Sequence, residues 1–284
     1  MKLSIIIPTY NNLNYLKFFL KSLQINSKFD HEIILHINEG SDGTLDYALK
    51  NNIRHTFSDK NIGLCSSMNK AYSLTTTNYI LYAHDDMFFC KNWDIFLTDE
   101  INKQDNNSYY LTGTNVSTRH GLINFDCGST YLDFNEKKFN NFCLQDQTPD
   151  LQSSHWAPHL IHRELWDKIG GFSEDFNPGD GSDPDFCMKL WIQNVRIFKG
   201  VSKFKVYHFN SLTTRNDKIV LNNGTRTFLS KYGFNPKFFR KYYLRGNNSV
   251  IPFKGRLNNP KKNFSMLLDL SINKIKYTIN KFRA

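Results

Sequence analysis

Short β-branched runs alternate with apolar stripes at helical spacing through the first hundred residues. Residues 3–7 (LSIII) read as a buried strand broken by Pro8. Leu13, Leu16, Leu20 and Leu23 follow at steps of three and four, with Asn11 and Asn12 placed to cap the helix they predict. Residues 33–37 form a second β run that ends in the turn-rich 39–43. A short helix over 45–49, a strand over 54–57, a helix striped by Leu64, Met68, Ala71 and Leu74, and a strand over 79–83 complete the series. Strands alternating with helices of this length predict βαβ units, hence a parallel sheet with right-handed crossovers.

Beyond residue 100 the pattern loosens. Short β runs at 109–112 and 122–125 precede a helix over 163–169, stopped by Gly170 and Gly171. An acidic, glycine-rich loop over 176–185 opens a helix through 190–192, and residues 195–198 and 204–207 read as two further strands. From Leu268 the apolar residues fall at 268, 272, 275, 279 and 282, a helical stripe with Lys274, Lys276 and Lys281 off it. The division expected is 1–110 as one half of an α/β domain, 111–236 as the other, and 237–284 as a basic, partly amphipathic tail.

Charge sharpens that division. The net +10 first suggests nucleic acid. Residues 237–284, however, carry twelve Lys/Arg against one acid, Asp269, for a net of +11, which leaves 24 basic and 25 acidic side chains in residues 1–236, a net of −1. A neutral globule with clustered carboxylates argues against nucleic acid as the partner of the domain; the basic tail with Phe238, Tyr242 and Tyr243 is the only feature that would favour it. A polybasic segment beside an amphipathic helix instead suits peripheral contact with an anionic membrane, or a helix packed on the domain with its lysines in water. The longest apolar runs, 3–8 and 79–83, are too short to span a bilayer. The opening MKLSIIIPTY lacks the features of a signal peptide, and five widely spaced cysteines without a CxxC pair read as reduced thiols. The expected location is cytoplasmic, at the inner face of the membrane if the tail binds it. No G-x-G-x-x-G or Walker loop is present, which argues against a dinucleotide-binding Rossmann enzyme or a P-loop NTPase.

In open α/β sheets ligands sit beyond the carboxyl ends of the strands. Here those ends carry Thr9-Tyr10-Asn11, Asn38-Glu39-Gly40 and His84-Asp85-Asp86, so one crevice is expected to gather them. Adjacent carboxylates such as Asp85 and Asp86 repel unless a cation offsets them, and oxygen ligands suit Mg²⁺ or Mn²⁺ bridging to a diphosphate; a solvated turn is the plain alternative. Asp180, Asp183 and Asp185 crowd one loop, where an Asp serves as a helix cap or as a general base. His208, just past a strand, is a metal ligand or a core histidine. Trp156 stacks on a sugar or fills a loop, whereas Trp166 and Trp191 lie in helical patterns and read as core.

Taken together, these motifs resemble the family 2 glycosyltransferases. SIIIPTYNN at 4–12, Asn38-Glu-Gly-Ser41, Asn61-Ile-Gly63 through Asn69, Tyr79 to Asp86, Trp93, Gly170-Gly-Phe-Ser-Glu174 and Asp183-Pro-Asp185 fall in the family's order across roughly residues 3–211. The resemblance implies a GT-A fold, a mostly parallel central sheet flanked by helices, with the basic C-terminal segment as an extension. It implies inverting transfer from a nucleotide-diphosphate sugar, UDP-sugar favoured, to a hydroxyl on a glycan or lipid-linked glycan, in polysaccharide or cell-envelope biosynthesis. Pro8, Thr9, Tyr10, Asn11, Glu39, Asn61, Gly63, Asn69 and Asp85 then correspond to the donor site. Asp86 and His208 correspond to the site of Mn²⁺ or Mg²⁺, Trp156 and Asp185 to the acceptor side, and Asp183 to the general base. Three departures stand out: Asn38-Glu39 for Asp-Asp, His84 for an Asp of the metal motif, and Ser182 for the Glu before the base. A sugar-nucleotide- or glycan-binding module without catalysis is the alternative.

Overall fold

The computed structural model describes residues 1–119, 121–210, 222–246 and 250–282. Among them, ten strands form one sheet with the central order β3-β2-β1-β4-β9-β6-β10-β5. The first half follows the sequence pattern closely. β1 (Ser4–Tyr10) lies between β2 (Glu32–Asn38) and β4 (Tyr79–Tyr82), parallel to both, and β3 (Arg54–Ser58) continues the parallel run beyond β2. Ile5, Ile6 and Ile7 are wholly buried, as a strand covered on both faces must be, which is why this strand reads as an unbroken apolar run. The crossovers are α1 (Leu13–Asn26), α2 (Thr44–Lys50) and α3 (Leu64–Tyr72), the last packed on β1 and β2. The helix expected to include Leu74 stops two residues earlier.

The second half departs from the expected pattern. β9 (His159–His162) inserts antiparallel between β4 and β6 (Tyr110–Ser117). The two strands expected at 195–198 and 204–207 are one, β10 (Phe198–His208), parallel to β6 with an irregularity between Val201 and Lys205. A polar Ser-Lys pair at that break interrupts the apolar run, so the local pattern reads as two strands although the ladder resumes past it. β5 (Met87–Phe89) pairs antiparallel with β10, and the short β7 (Ile123–Asn124) and β8 (Leu151–Gln152) flank β6 and β10. Strands of two or three residues are too short to leave a period in the sequence. α4 (Trp93–Asn102) packs on β10, followed along the chain by α5 (Glu136–Gln145), α6 (Arg163–Ile169), α7 (Ser182–Ile192), α8 (Gly224–Tyr232) and α9 (Phe264–Phe282). Trp166 and Trp191 are buried, as expected.

The segment after 236 is attached to the domain. Phe238, Phe239 and Leu244 are buried, Tyr243 meets Trp191 edge-on, and Leu257 donates its backbone N–H to the Arg196 carbonyl.

Candidate active site

A cavity of about 600 Å³ opens at the carboxyl ends of β1, β2 and β4. Pro8, Thr9 and Tyr10 line it from β1, Asn38 from β2, and His84, Asp85 and Asp86 from the turn after β4. The opposite wall is the acidic loop and the start of α7, with Gly179, Asp180, Ser182 and Asp183. Three strand ends therefore meet, as the alternation of strands and helices led one to expect, and the acidic loop closes the cavity opposite them.

His84 and Asp86, both on its lining, converge with His208, which is not on the lining. One ligand atom from each lies within 4.8 Å of the others. His208 Nε2 is 3.1 Å from Asp86 Oδ1 and 3.3 Å from His84 Nδ1, and His84 Nδ1 is 3.9 Å from the same carboxylate. Sheet register makes this meeting possible: β5 runs antiparallel to β10 with His208 opposite Met87, so the residue before Met87 sits beside the end of β10. Burial, and then the neighbouring His208, lower the His84 imidazole to about 4, so it is neutral at pH 7. Burial alone would lower His208 too, but the surrounding carboxylates, Asp86 foremost with Asp85 and Asp183, together outweigh it and hold that imidazole above its usual value. Tyr82 Oη lies 2.7 Å from His84 Nε2. With Nε2–H donated to the phenol oxygen, the Nδ1 lone pair is left facing Asp86 and His208. Two imidazole nitrogens and a carboxylate converging in this way form a donor set that suits a divalent transition-metal ion. Among the described residues no other group of three or more such side chains gathers.

The neighbouring carboxylates are kept from ionising freely. Asp85 is buried and accepts from Asn12 Nδ2 at 3.0 Å; burial, and then the charge of Asp86, push it up to about 7. Asp183 sits in the first turn of α7, and burial pushes it up to about 7 as well. Its Oδ1 is buried with no hydrogen-bond partner among the described residues.

The other expected site residues lie on the cavity, at its rim or in the elements around it. Asn38 donates to Thr9 O and Ser67 Oγ and accepts from Ile62 N–H, tying β1, β2 and the lead into α3 together. Asn61 lines the cavity and accepts from Gly63 N–H. Asn69 brackets Phe172, accepting from its N–H and donating to its carbonyl, which holds the 170–174 turn against α3. Glu39 lies just past the cavity, exposed, with φ +61° and its carboxylate held by Ser41; Asn11, also off the lining, has φ +44°. Asp185 is buried away from the cavity, accepting from Tyr232 Oη at 2.7 Å and pairing with Lys231 at 2.8 Å. Trp156 donates to the Gly113 carbonyl and does not line the cavity. Ser211, where the ordered motifs end, lies outside the described residues.

Gly63 has a steric task. Its φ is +83°, and a Cβ there would come within 2.5 Å of Asn177 Oδ1, the atom that accepts from Cys65 N–H at the start of α3. Through that contact the N-x-G segment holds the acidic loop over the cavity. Gly63→Ala is expected to cost about 1–3 kcal/mol, read from guanidinium unfolding. A loss within about 0.5 kcal/mol would mean that the loop yields freely.

His84 is the contributor that motif comparison passes over, since it stands where a carboxylate is expected. Its signal in the sequence is its position two residues before Asp86, at the same strand end. Asp180 and Asn222 also line the cavity; Asn222 accepts from Asp180 N–H and donates to the Asp180 carbonyl, joining the acidic loop to the start of α8.

The model of glycosyl transferase family 2 matches residues 4–170, more than half of the chain. The chain belongs to glycosyl transferase family 2. Solved structures share its fold at low identity. S. aureus TarS 1-349 is 18% identical over 73% of this chain and 60% of that one, with a TM-score of 0.53. GalNAc-T7 with UDP, GalNAc and Mn²⁺ is 14% identical over 97% of this chain and 54% of its own, at 0.59. The mannosyltransferase PcManGT from Pyrobaculum calidifontis, in complex with GDP-Man and Mn²⁺, is 12% identical over 98% of this chain and 73% of its own, at 0.53. The fold of this family 2 chain is thus GT-A, and it spans only 60% of the length of the first of these structures. No curated protein sequence is significantly similar to it.

Proposed function

We propose that this family 2 glycosyltransferase moves a sugar from a nucleotide-diphosphate donor, a UDP-sugar by preference, to a hydroxyl of a glycan or lipid-linked acceptor, with inversion at the anomeric carbon. The observation that carries the reading is a buried carboxylate, Asp183, whose Oδ1 has no hydrogen-bond partner among the described residues and which lines the same cavity as His84 and Asp86 of the three-residue cluster. Asp86, His208 and His84 would hold a divalent cation. Two imidazole donors favour Mn²⁺ over Mg²⁺, which prefers an all-oxygen shell. When bound, the cation offsets the charge of the departing diphosphate.

The chain's own residues supply the rest. Thr9 and Tyr10 flank the nucleotide from the end of β1, with Asn61 beside it and Glu39 at the rim to meet the base or ribose. Asp85, held by Asn12, stands next to the cation ligands. Asp183 takes the proton of the acceptor hydroxyl as its oxygen attacks the anomeric carbon and the bond to the diphosphate breaks. A carboxylate raised towards neutrality by burial is a stronger base than an exposed one and still ionises near pH 7. UDP is bound in one structural relative and GDP-Man in another.

The test is a thermal-shift screen with UDP-, GDP-, dTDP- and CMP-sugars, with and without Mn²⁺, followed by hydrolysis of the best donor. A rise in Tm with a UDP-sugar that requires Mn²⁺, and slow release of UDP, is the expected result. No shift with any of the four would overturn the reading. A shift with no hydrolysis or transfer would leave a sugar-nucleotide-binding module.

A further inference from the structure

The C-terminal helix α9 (Phe264–Phe282) is built inside out. Its inward face is largely polar: Asn273 is 5% exposed and accepts from Asn235 N–H, Asp269 holds Lys241 and Tyr242, and Asn280 donates to the Arg226 carbonyl and Ser230 Oγ. Among its described side chains Met266 is the only buried apolar one, with Leu270 half-buried against the core. Its apolar residues face out instead. Phe264 is 83% exposed, Ile275 62%, Leu268 53% and Ile279 46%, with Leu267 and Ile272 beside them. At 100° per residue these six fall within an arc of about 140°. Lys274 and Lys281 border that arc on one side and Lys276 on the other. The side chain of Phe282, the last of the stripe, lies outside the described residues.

Hydrogen bonds that anchor the polar face fix which way the helix is rolled, so the apolar stripe is held outward. A continuous apolar face of this kind marks a surface with a partner. We propose that α9 lies in the interfacial layer of an anionic phospholipid bilayer, its apolar arc among the acyl chains and the bordering lysines at the headgroups. Charge selects this occupant. Residues 237–284 carry twelve cationic side chains and one acid, so a second copy would bring like charge to the lysine borders, whereas an anionic lipid surface is complementary on both sides of the stripe. No helix among the described residues is long and apolar enough to cross a membrane, so the contact is peripheral.

The test is co-sedimentation of the full chain with vesicles of mixed phosphatidylglycerol and phosphatidylcholine, against phosphatidylcholine alone, at low and high salt. Two variants accompany it: I275E/I279E, and K274E/K276E/K281E. These side chains are on the exposed surface, so wild-type Tm and circular dichroism are expected in both. The wild type should sediment with the anionic vesicles at low salt and be released by high salt. K274E/K276E/K281E should lose at least roughly 100-fold in partitioning, since each nearby lysine accounts for about a factor of five, and I275E/I279E should lose binding as well, since it puts charge into the apolar arc. Wild type left in the supernatant, or I275E/I279E binding as tightly as wild type, would overturn the proposal. So would a wild-type dimer in sedimentation velocity that I275E/I279E dissolves, without vesicle binding, because the occupant would then be a second copy.

Discussion

Asp183→Asn is expected to lower turnover by about 10²–10⁴-fold, the usual contribution of a positioned general base, while donor affinity by calorimetry stays at the wild-type value. The amide fills the same space in the first turn of α7 and removes only the lone-pair basicity. In the wild type, kcat/KM should rise with pH along an ascending limb governed by this carboxyl, and the variant should lose that limb. The value of about 7 describes the site without a cation, and a bound cation pulls it down, so the limb falls at or below pH 7 in the loaded enzyme. Stability gives an independent reading. The folded carboxyl sits near 7 and its ordinary value is 3.8, so folding opposes ionisation, and stability is lost as pH rises from about 4 through 7. Asn does not ionise. In EDTA, Asp183→Asn should therefore melt at a higher temperature than wild type at pH 8, with the difference shrinking towards pH 4. Wild-type turnover in the variant, or a lower Tm at pH 8, would remove Asp183 from the role of base in a buried site.

Asp86→Ala is expected to abolish Mn²⁺-dependent donor binding. Loss of an outer-shell partner alone costs about 10–100-fold in metal affinity. Deleting the one carboxylate that faces both imidazoles should then cost at least roughly 100-fold, measured by calorimetry with Mn²⁺ alone before any donor is added. Tyr82→Phe makes the graded comparison. It keeps all three ligands and removes the phenol at His84 Nε2, so a loss of roughly tenfold or less is expected. Unchanged Mn²⁺ affinity in Asp86→Ala would mean that His84, Asp86 and His208 do not form the cation site.

Much of this was legible before the structure. LSIII, the leucine stripe of α1, the β run of 33–37 and the strand ending at His84 are local patterns, and they place β1, β2, β4 and their polar ends correctly. The parallel half of the sheet is legible because burial on both faces leaves long apolar runs. The second half was harder for the same kind of reason. β5, β7 and β8 are too short to show a period, β9 is bounded by histidines, and β10 carries Ser202 and Lys203 at its break. His208 could be suspected from its place after a strand, and His84 looked like a mere departure from a motif. The register of β5 against β10 is what brings both to Asp86.

From the amino-acid sequence alone follow the order of the βαβ units, the residues at the strand ends, the split of charge at about residue 237 and the spacing of the stripe in α9. These are properties of neighbours along the chain, set by side-chain size, branching and period. Tertiary structure decided which distant residues meet and which way they face. It turned Asp185 towards Lys231 and Tyr232 and left Asp183 at the cavity, and it rolled α9 so that Asn273 faces in and Ile275 out. A helical stripe specifies an angle around the helix axis; only the hydrogen bonds and packing of the neighbouring elements fix the direction of that angle in space.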